Sequence, residues 1–213
     1  TLLELKDAGV NRLSIGIQSF SDEDLVWMNR THNGQQAIDC LESAVAVGFN
    51  RISADLIYGI PGSNNERWNK NVQTIIDSGI GHVSCYALTV EEKTALELSI
   101  RKGQVNAPDE EQTINQFYDL KSSLESAGFH HYELSNFAQP GQESKHNSSY
   151  WKGAKYLGIG PSAHSFNGYE RRWNIANNSL YITAIQNGTL PFEREELSQI
   201  NRINECIMIS LRT

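Results

Sequence analysis

Residues 33–62, NGQQAIDCLESAVAVGFNRISADLIYGIPG, hold one complete helix–glycine–strand unit. Ala37, Ile38, Leu41 and Val45 recur at helical spacing and share one face. Gly48 stops that helix, as a glycine just past a helix end does by taking the left-handed conformation. Arg51 to Tyr58 reads as a strand, and Tyr58-Gly59-Ile60-Pro61-Gly62 as a turn holding a loop over its C-terminal end.

The same unit recurs on either side. Thr1 to Gly9 reads as the later part of a helix, and Leu13, Ile15 and Ile17 alternate with Ser14, Gly16 and Gln18 as a strand does. Ser21-Asp22-Glu23 offers a helix cap. Trp68, Val72, Ile75 and Ile76 mark a helix before Gly79, and His82 to Leu88 is a third strand. A helix from about Pro108 turns Ile114, Phe117, Leu120 and Leu124 inward and ends at Gly128; Asp109-Glu110-Glu111 are first-turn acids that favour its N-terminus. His131 to Ser135 is a fourth strand. Strands alternating with helices predict a parallel sheet with right-handed crossovers, its four strands adjacent in chain order. Four such strands do not close a barrel, and the first helix has no strand before it. The expectation is an α/β fold, a partial (β/α) barrel lacking its N-terminal units, with a complete open sheet as the competing reading. Ile200, Ile203, Ile207 and Leu211 mark a final helix that runs to the end of the chain.

With 213 residues, 39% of them hydrophobic, the chain is long enough to bury a sizeable core. A net charge of −7 argues against nucleic acid as a partner and against a polybasic membrane anchor. No apolar run is long enough for a transmembrane segment, which leaves only peripheral membrane contact open. Cys40, Cys85 and Cys206 are odd in number and form no CxxC; Cys40 and Cys85 read as buried thiols, and the chain as cytoplasmic.

One face of each strand is polar or small: Ser14, Gly16 and Gln18 on the first, Ser53 and Asp55 on the second, Ser84 and Tyr86 on the third. Parallel sheets bury both faces, so a polar file converging near the C-terminal strand ends predicts a ligand site. The alternative is ordinary solvent-facing alternation. His32, His82, His130 and His131 stand near element ends and read as surface or capping histidines.

Lys145 to Phe166, KHNSSYWKGAKYLGIGPSAHSF, gathers His146, Tyr150, Trp151, Tyr156, His164 and Phe166 around a GIGP turn. Flat rings, a close backbone at Gly158 and Gly160 and an imidazole that could ligate a metal suit a large planar cofactor. A β-hairpin with an aromatic core accounts for the same residues equally well. Arg171-Arg172-Trp173 could meet an anionic ligand or be a solvated strand end.

Asn11 to Phe20 (NRLSIGIQSF), Asp55 to Pro61 (DLIYGIP) and His131 to Ala138 (HYELSNFA) resemble the radical S-adenosylmethionine family of oxygen-independent coproporphyrinogen III oxidases. The HNxxYW pattern at His146 to Trp151 and GIGPSAHSF at Gly158 to Phe166 resemble its HemW branch, whose members act as heme chaperones. The resemblance runs over essentially the whole chain. It implies that S-adenosylmethionine is held in part by Gln18, Arg30 on the helix that follows, Asp55, and Ala87 at the end of the next strand. It implies that heme or another tetrapyrrole is handled near His146, Tyr150 and Trp151, with His146 a candidate iron ligand and His164 in reserve, and that heme-acceptor proteins are partners. The alternative activity is radical oxidative decarboxylation of coproporphyrinogen III. The family's CxxxCxxC motif, which holds a [4Fe–4S] cluster, does not occur here, so the chain offers no cluster ligands. The resemblance divides the chain into a partial radical-SAM-type barrel over 1–136, an HNxxYW and GxGPxAHSF tetrapyrrole-handling segment packed on it over 137–193, and the first helix of a helical C-terminal domain over 194–213.

Overall fold

A computed structural model describes residues 1–212. Thr213, with which the expected final segment closes, lies outside the described residues. The chain divides into two compact units, one from Thr1 to Glu143 and one from Ser144 onward.

The first unit runs α1 (Leu2–Asp7), β1 (Leu13–Gln18), α2 (Asp22–Trp27), α3 (Gly34–Ala46), β2 (Ile52–Tyr58), α4 (Asn65–Asp77), β3 (His82–Ala87), α5 (Ala95–Arg101), α6 (Glu110–Ser126), β4 (His130–Glu133) and β5 (Asn136–Ala138). Local chemistry starts the helices: Thr1 and Glu4 close a capping box on α1, Asn33 and Gln36 another on α3, and Asp109 accepts from Gln112 N at the head of α6. Gly9, Gly48, Gly79 and Gly128, just past the ends of α1, α3, α4 and α6, take the positive φ that the sequence predicts there.

Strands β1, β2 and β3 are parallel neighbours in chain order. Ile17, Ile52, Ala54, Leu56, Val83 and Cys85 project from them into a core shared with Leu41 of α3, Trp68 and Ile75 of α4 and Leu120 and Leu124 of α6. This alternation leaves the opposite face of every strand to the polar side chains.

The fourth strand departs from expectation. The sheet order is β1-β2-β3-β5-β4, so β4 runs in the expected direction but is separated from β3 by β5, antiparallel to both. The chain reverses at Leu134-Ser135, where the Glu133 carboxylate accepts from Ser135 N at 3.1 Å. The returning residues then bury Phe137 in the core and turn Asn136 to the polar face. Three residues are too few to show a period in sequence, so the insertion is a product of packing. Cys85 is buried as expected, but Cys40 is exposed on α3.

The second unit runs α7 (Lys145–Trp151), β6 (His164–Phe166), β7 (Glu170–Asn174), α8 (Asn178–Gln186), β8 (Phe192–Glu196) and α9 (Gln199–Ser210). Its strands form an antiparallel sheet in the order β6-β7-β8. Arg171 grips Glu205 of α9 with two bonds of 2.6 and 2.9 Å, so that guanidinium is committed to an internal partner and is not free for an anionic ligand. No helix among the described residues is long and apolar enough to cross a membrane.

Candidate functional site

The polar face of the first unit's sheet is built by strand register. Gly16 stands opposite Asp55, Asp55 opposite Ser84, and Ser84 opposite Asn136, which in turn faces Glu133. Opposed residues project to the same side, so these positions form one row across five strands. Ser14 reaches Asp55 Oδ2 at 3.5 Å, and Ser84 hydrogen-bonds the same carboxylate. Asp55 Oδ1 is buried and has no partner. Burial pushes the Asp55 carboxyl above its ordinary range, against the opposing pull of the Ser84 and Ser14 hydroxyls and of Arg12.

His82 is no capping histidine. It is 2% exposed, its Nδ1 stands 2.7 Å from Ser53 Oγ, and its Nε2 stands 2.7 Å from the Tyr132 hydroxyl. Ser53 Oγ lies 3.4 Å from Ser84 Oγ, which continues the chain to Asp55. Each ring nitrogen of His82 thus has a hydroxyl partner, as a neutral imidazole, donor at one nitrogen and acceptor at the other, requires. Burial and Arg12 push the His82 pKa down to about 4, with Glu143 opposing.

Gln18 closes the end of β1. Its φ is 68°, and the pairing with β2 slips between Gly16 and Gln18. The side chain folds back over Gly16, where a Cβ would stand 2.8 Å from Gln18 Nε2. The absent side chain at Gly16 thus makes the room for the Gln18 amide, in the position opposite Asp55. A buried network fixes the turn that follows. Ser19 donates to Asp24 at 2.9 Å, Asn71 donates to Ser19 at 2.9 Å, and Asn71 accepts from Phe20 N. Arg67 ties this turn, through Asp24, to the loop after β2, where it donates to Gly62 O at 2.9 Å. The contacts of Asn71 with Phe20 and Ser19 and of Arg67 with Asp24 are not legible in sequence, because the partners are 43 to 52 residues apart.

Arg30 is exposed and lies beyond the end of α2 in the connection to α3, not on a helix as expected. Its backbone N–H donates to Leu25 O. Ala87 ends β3 on the face opposite Asp55 and lines an open cavity of about 570 Å³ with Tyr58, Tyr86, Phe117, Leu134 and Ser135. Register therefore gathers Gln18 and Asp55 on one sheet face; Ala87 lies at a strand end on the other face, and Arg30 in the connection between α2 and α3. Among the described residues no three His, Cys, Asp or Glu side chains converge as metal ligands.

In the second unit the HNxxYW residues form a helix, α7, opened by Ser144, whose side chain accepts from Asn147 N. Helical spacing stacks positions four apart, which brings exposed His146 Nε2 within 3.0 Å of the Tyr150 hydroxyl. Tyr150 packs edge-on against Tyr156 at 4.9 Å, and Tyr156 lies 6.0 Å from Phe166. Tyr156 and Phe166 exchange backbone hydrogen bonds of 2.9 Å, closing the GIGP loop between them. Gly158 passes so near that a Cβ would stand 2.2 Å from His164 O. Trp151 is half-buried beneath Arg212, and its indole nitrogen is buried without a partner. His164 belongs to a separate stack with Trp173, ring centres 6.1 Å apart.

Comparison with known proteins adds to this geometry. The radical SAM superfamily profile matches residues 1–75. The chain is 37% identical over 211 residues to the heme chaperone HemW of Mycobacterium tuberculosis, covering 98% of this chain and 54% of that protein. It is 36% identical over 209 residues to the heme chaperone HemW of Bacillus subtilis, covering 98% and 55%. The chain thus spans about half the length of these curated relatives. Among solved structures, the Escherichia coli radical SAM enzyme coproporphyrinogen III oxidase, HemN, superposes with a TM-score of 0.80 at 22% identity, over 99% of this chain and 51% of that one. That likeness bears on the fold alone. Motifs, matched profile and relatives aligned along 98% of this chain agree: the chain belongs to the radical SAM coproporphyrinogen III oxidase-like family, in its HemW branch.

Proposed function

We propose that this chain is the ligand-handling part of a heme chaperone, which binds heme and passes it to acceptor proteins. One observation carries the reading. The HNxxYW motif is a single helical face on which His146 holds an exposed imidazole against Tyr150, at the end of a run of rings through Tyr156 and Phe166. Heme as cargo needs an axial donor and flat apolar cover, and neutral imidazole beside aromatic rings offers both. On binding, His146 Nε2 would exchange the Tyr150 hydroxyl for iron. His164, beside Trp173, is the reserve ligand.

The first unit is proposed to hold S-adenosylmethionine through Gln18, Arg30, Asp55 and Ala87. The fit rests on the unpartnered Asp55 Oδ1, which calls for a donor such as a ribose hydroxyl, and on the Gln18 amide opposite it. The Arg30 guanidinium suits a carboxylate, and the cavity beside Ala87 offers Tyr58, Tyr86 and Phe117 to a flat ring. Bound S-adenosylmethionine supplies a reactive sulfonium. The family's [4Fe–4S] cluster is a different matter: the described residues provide no converging ligand set for it. Two exposed free thiols, Cys40 and Cys206, support a reducing compartment such as the cytoplasm.

The test uses the full-length protein. Added heme is expected to give a shifted Soret band that His146→Ala weakens or alters, and coproporphyrinogen III is expected to stay unconverted under anaerobic, reducing, cluster-loaded conditions. Decarboxylated product would replace the chaperone reading with the oxidase; an unaltered spectrum in His146→Ala would move the iron ligand elsewhere. A second expectation concerns Gly16→Ala. The new methyl displaces only the end of the Gln18 side chain, so the melting temperature should change little, while S-adenosylmethionine affinity falls roughly tenfold, the scale of one lost hydrogen bond. Calorimetry on both proteins checks it, and equal affinities would remove Gln18 from the site.

A further inference from the structure

We propose that Asn136, oriented by Glu133, is a second ligand-contacting residue on the polar sheet face, and that it takes a hydrogen-bond donor of the ligand, an N–H or O–H group and not a carboxylate. The inference rests on the reading of this face as a ligand site, and its test is arranged to fail separately.

Asn136 stands opposite Ser84 across the β3–β5 pair, and Ser84 stands opposite Asp55 across β2–β3. Asn136 and Asp55 therefore lie on the same face two strand spacings apart, about 10 Å. Asn136 is only 3% exposed, and its amide Nδ2 donates to Glu133 Oε1, itself on a side chain 6% exposed. A carboxylate has no proton to give, so this bond settles which end of the amide is which. Oδ1 must point away from Glu133. It is buried and has no partner, as is Asp55 Oδ1 in the same row.

The neighbouring protein groups do not supply the missing donor. The Ser84 hydroxyl has one proton and hydrogen-bonds Asp55. Ser135 N already donates to Glu133. The reversal between β4 and β5 is closed by that bond and by the Asn136 Nδ2 bond, so Oδ1 contributes nothing to the turn. Buried acceptors are ordinarily satisfied, and two left open in one row of side chains mark a place completed by something outside the chain.

The lining also decides what that something is. Asp55, Glu133 and the Asn136 carbonyl offer acceptors only, so a propionate carboxylate is repelled here and an amine, amide, pyrrole N–H or hydroxyl is attracted. S-adenosylmethionine carries such donors in its ribose hydroxyls, ammonium and adenine amine, and a metal-free tetrapyrrole carries them as pyrrole N–H groups; heme does not, because its four ring nitrogens are bound to iron. If a metal-free tetrapyrrole is the source, its N–H groups approach this face and its carboxylates lie away from it.

The experiment compares Asn136→Leu with Asp55→Asn in the full-length protein, titrating S-adenosylmethionine and metal-free coproporphyrinogen III by calorimetry, with heme, which has no ring N–H, as the control followed by its Soret band. Asn136→Leu nearly preserves volume and removes the open acceptor together with the Nδ2 donor to Glu133, so the melting temperature should fall somewhat while one ligand is weakened at least tenfold. Which ligand weakens identifies the source of the donor. Should leucine prevent folding, Asn136→Ala carries the same measurement. In the unsubstituted protein, the side-chain amide resonances of Asn136 should also shift when that ligand is added, which a purely structural amide would not do. If Asn136→Leu leaves both affinities within twofold while Asp55→Asn weakens S-adenosylmethionine, the inference is overturned and the Asp55 reading stands. If only Asn136→Leu weakens binding, Asn136 stands and the Asp55 assignment falls.

Discussion

Asp55→Asn is expected to leave the protein at least as stable at neutral pH while weakening S-adenosylmethionine binding roughly 10- to 100-fold, the scale for a hydrogen bond to a charged group. Stability and affinity move apart because of where the carboxylate sits. Burial raises its pKa in the folded state, so ionised Asp55 is held against a desolvation cost that the unfolded chain does not bear. A raised carboxyl pKa favours the folded state most at low pH, and that contribution is lost as pH rises through the folded value. Asparagine removes the titration and the cost with it. The affinity of the unsubstituted protein has the opposite pH dependence: it should decline as acidification protonates Asp55, beginning above the usual carboxylate range. Calorimetric titrations of both proteins over a pH series check this. A variant that is destabilised at neutral pH, or that binds equally well, would show Asp55 to be a structural residue.

The second large effect lies with His82 and concerns acid stability. The imidazole is neutral between Ser53 and Tyr132, with Arg12 lowering its pKa and Glu143 raising it. An ordinary histidine titrates near 6.5, and in the fold this one is pushed down to about 4. Between these values the unfolded chain binds a proton that the folded chain refuses, so stability is lost as pH falls through that window. The gap corresponds to roughly 3 kcal/mol, a large part of what holds an ordinary domain folded. Urea unfolding at a series of pH values from 7 to 4 should show this decline in the native protein and a much shallower one in His82→Gln. The variant starts from a lower stability at pH 7, since both hydroxyls lose their nitrogen partner, so the slope and not the starting value is diagnostic. Parallel slopes would mean that other groups govern acid unfolding. Nitrogen chemical shifts of His82 add an independent check, because the imidazole should stay neutral well below pH 6.5.

How much of this was written in the sequence differs from residue to residue. Alternation of Leu13, Ile15 and Ile17 with Ser14, Gly16 and Gln18, and its counterparts in β2 and β3, gave away both the strands and the division of the sheet into an apolar and a polar face. Side-chain direction in a strand has a period of two whatever lies beside it, and glycine past a helix end is needed on local grounds. The family was equally legible, because its motifs are contiguous stretches. Contiguity alone misled at His82, which follows a turn as a surface histidine would, and at Cys40, whose small size suits a core it does not enter. The family resemblance implies a helical Arg30, but the helix stops at Trp27.

What only the tertiary structure decided is everything that depends on who lies opposite whom. Insertion of β5 between β3 and β4 brings Asn136 to Ser84, and so into the row that holds Asp55, residues far apart along the chain. The same register joins His82 to Ser53 and, through Ser84, to Asp55, and the turn network places Arg67 between two loops. The sequence determined each strand, each helix and the face on which a side chain stands, because those follow from neighbours within a few positions. Burial, tautomer, raised or lowered pKa and unpartnered oxygens arise from groups brought together across the sheet, and they exist only once the strands have paired.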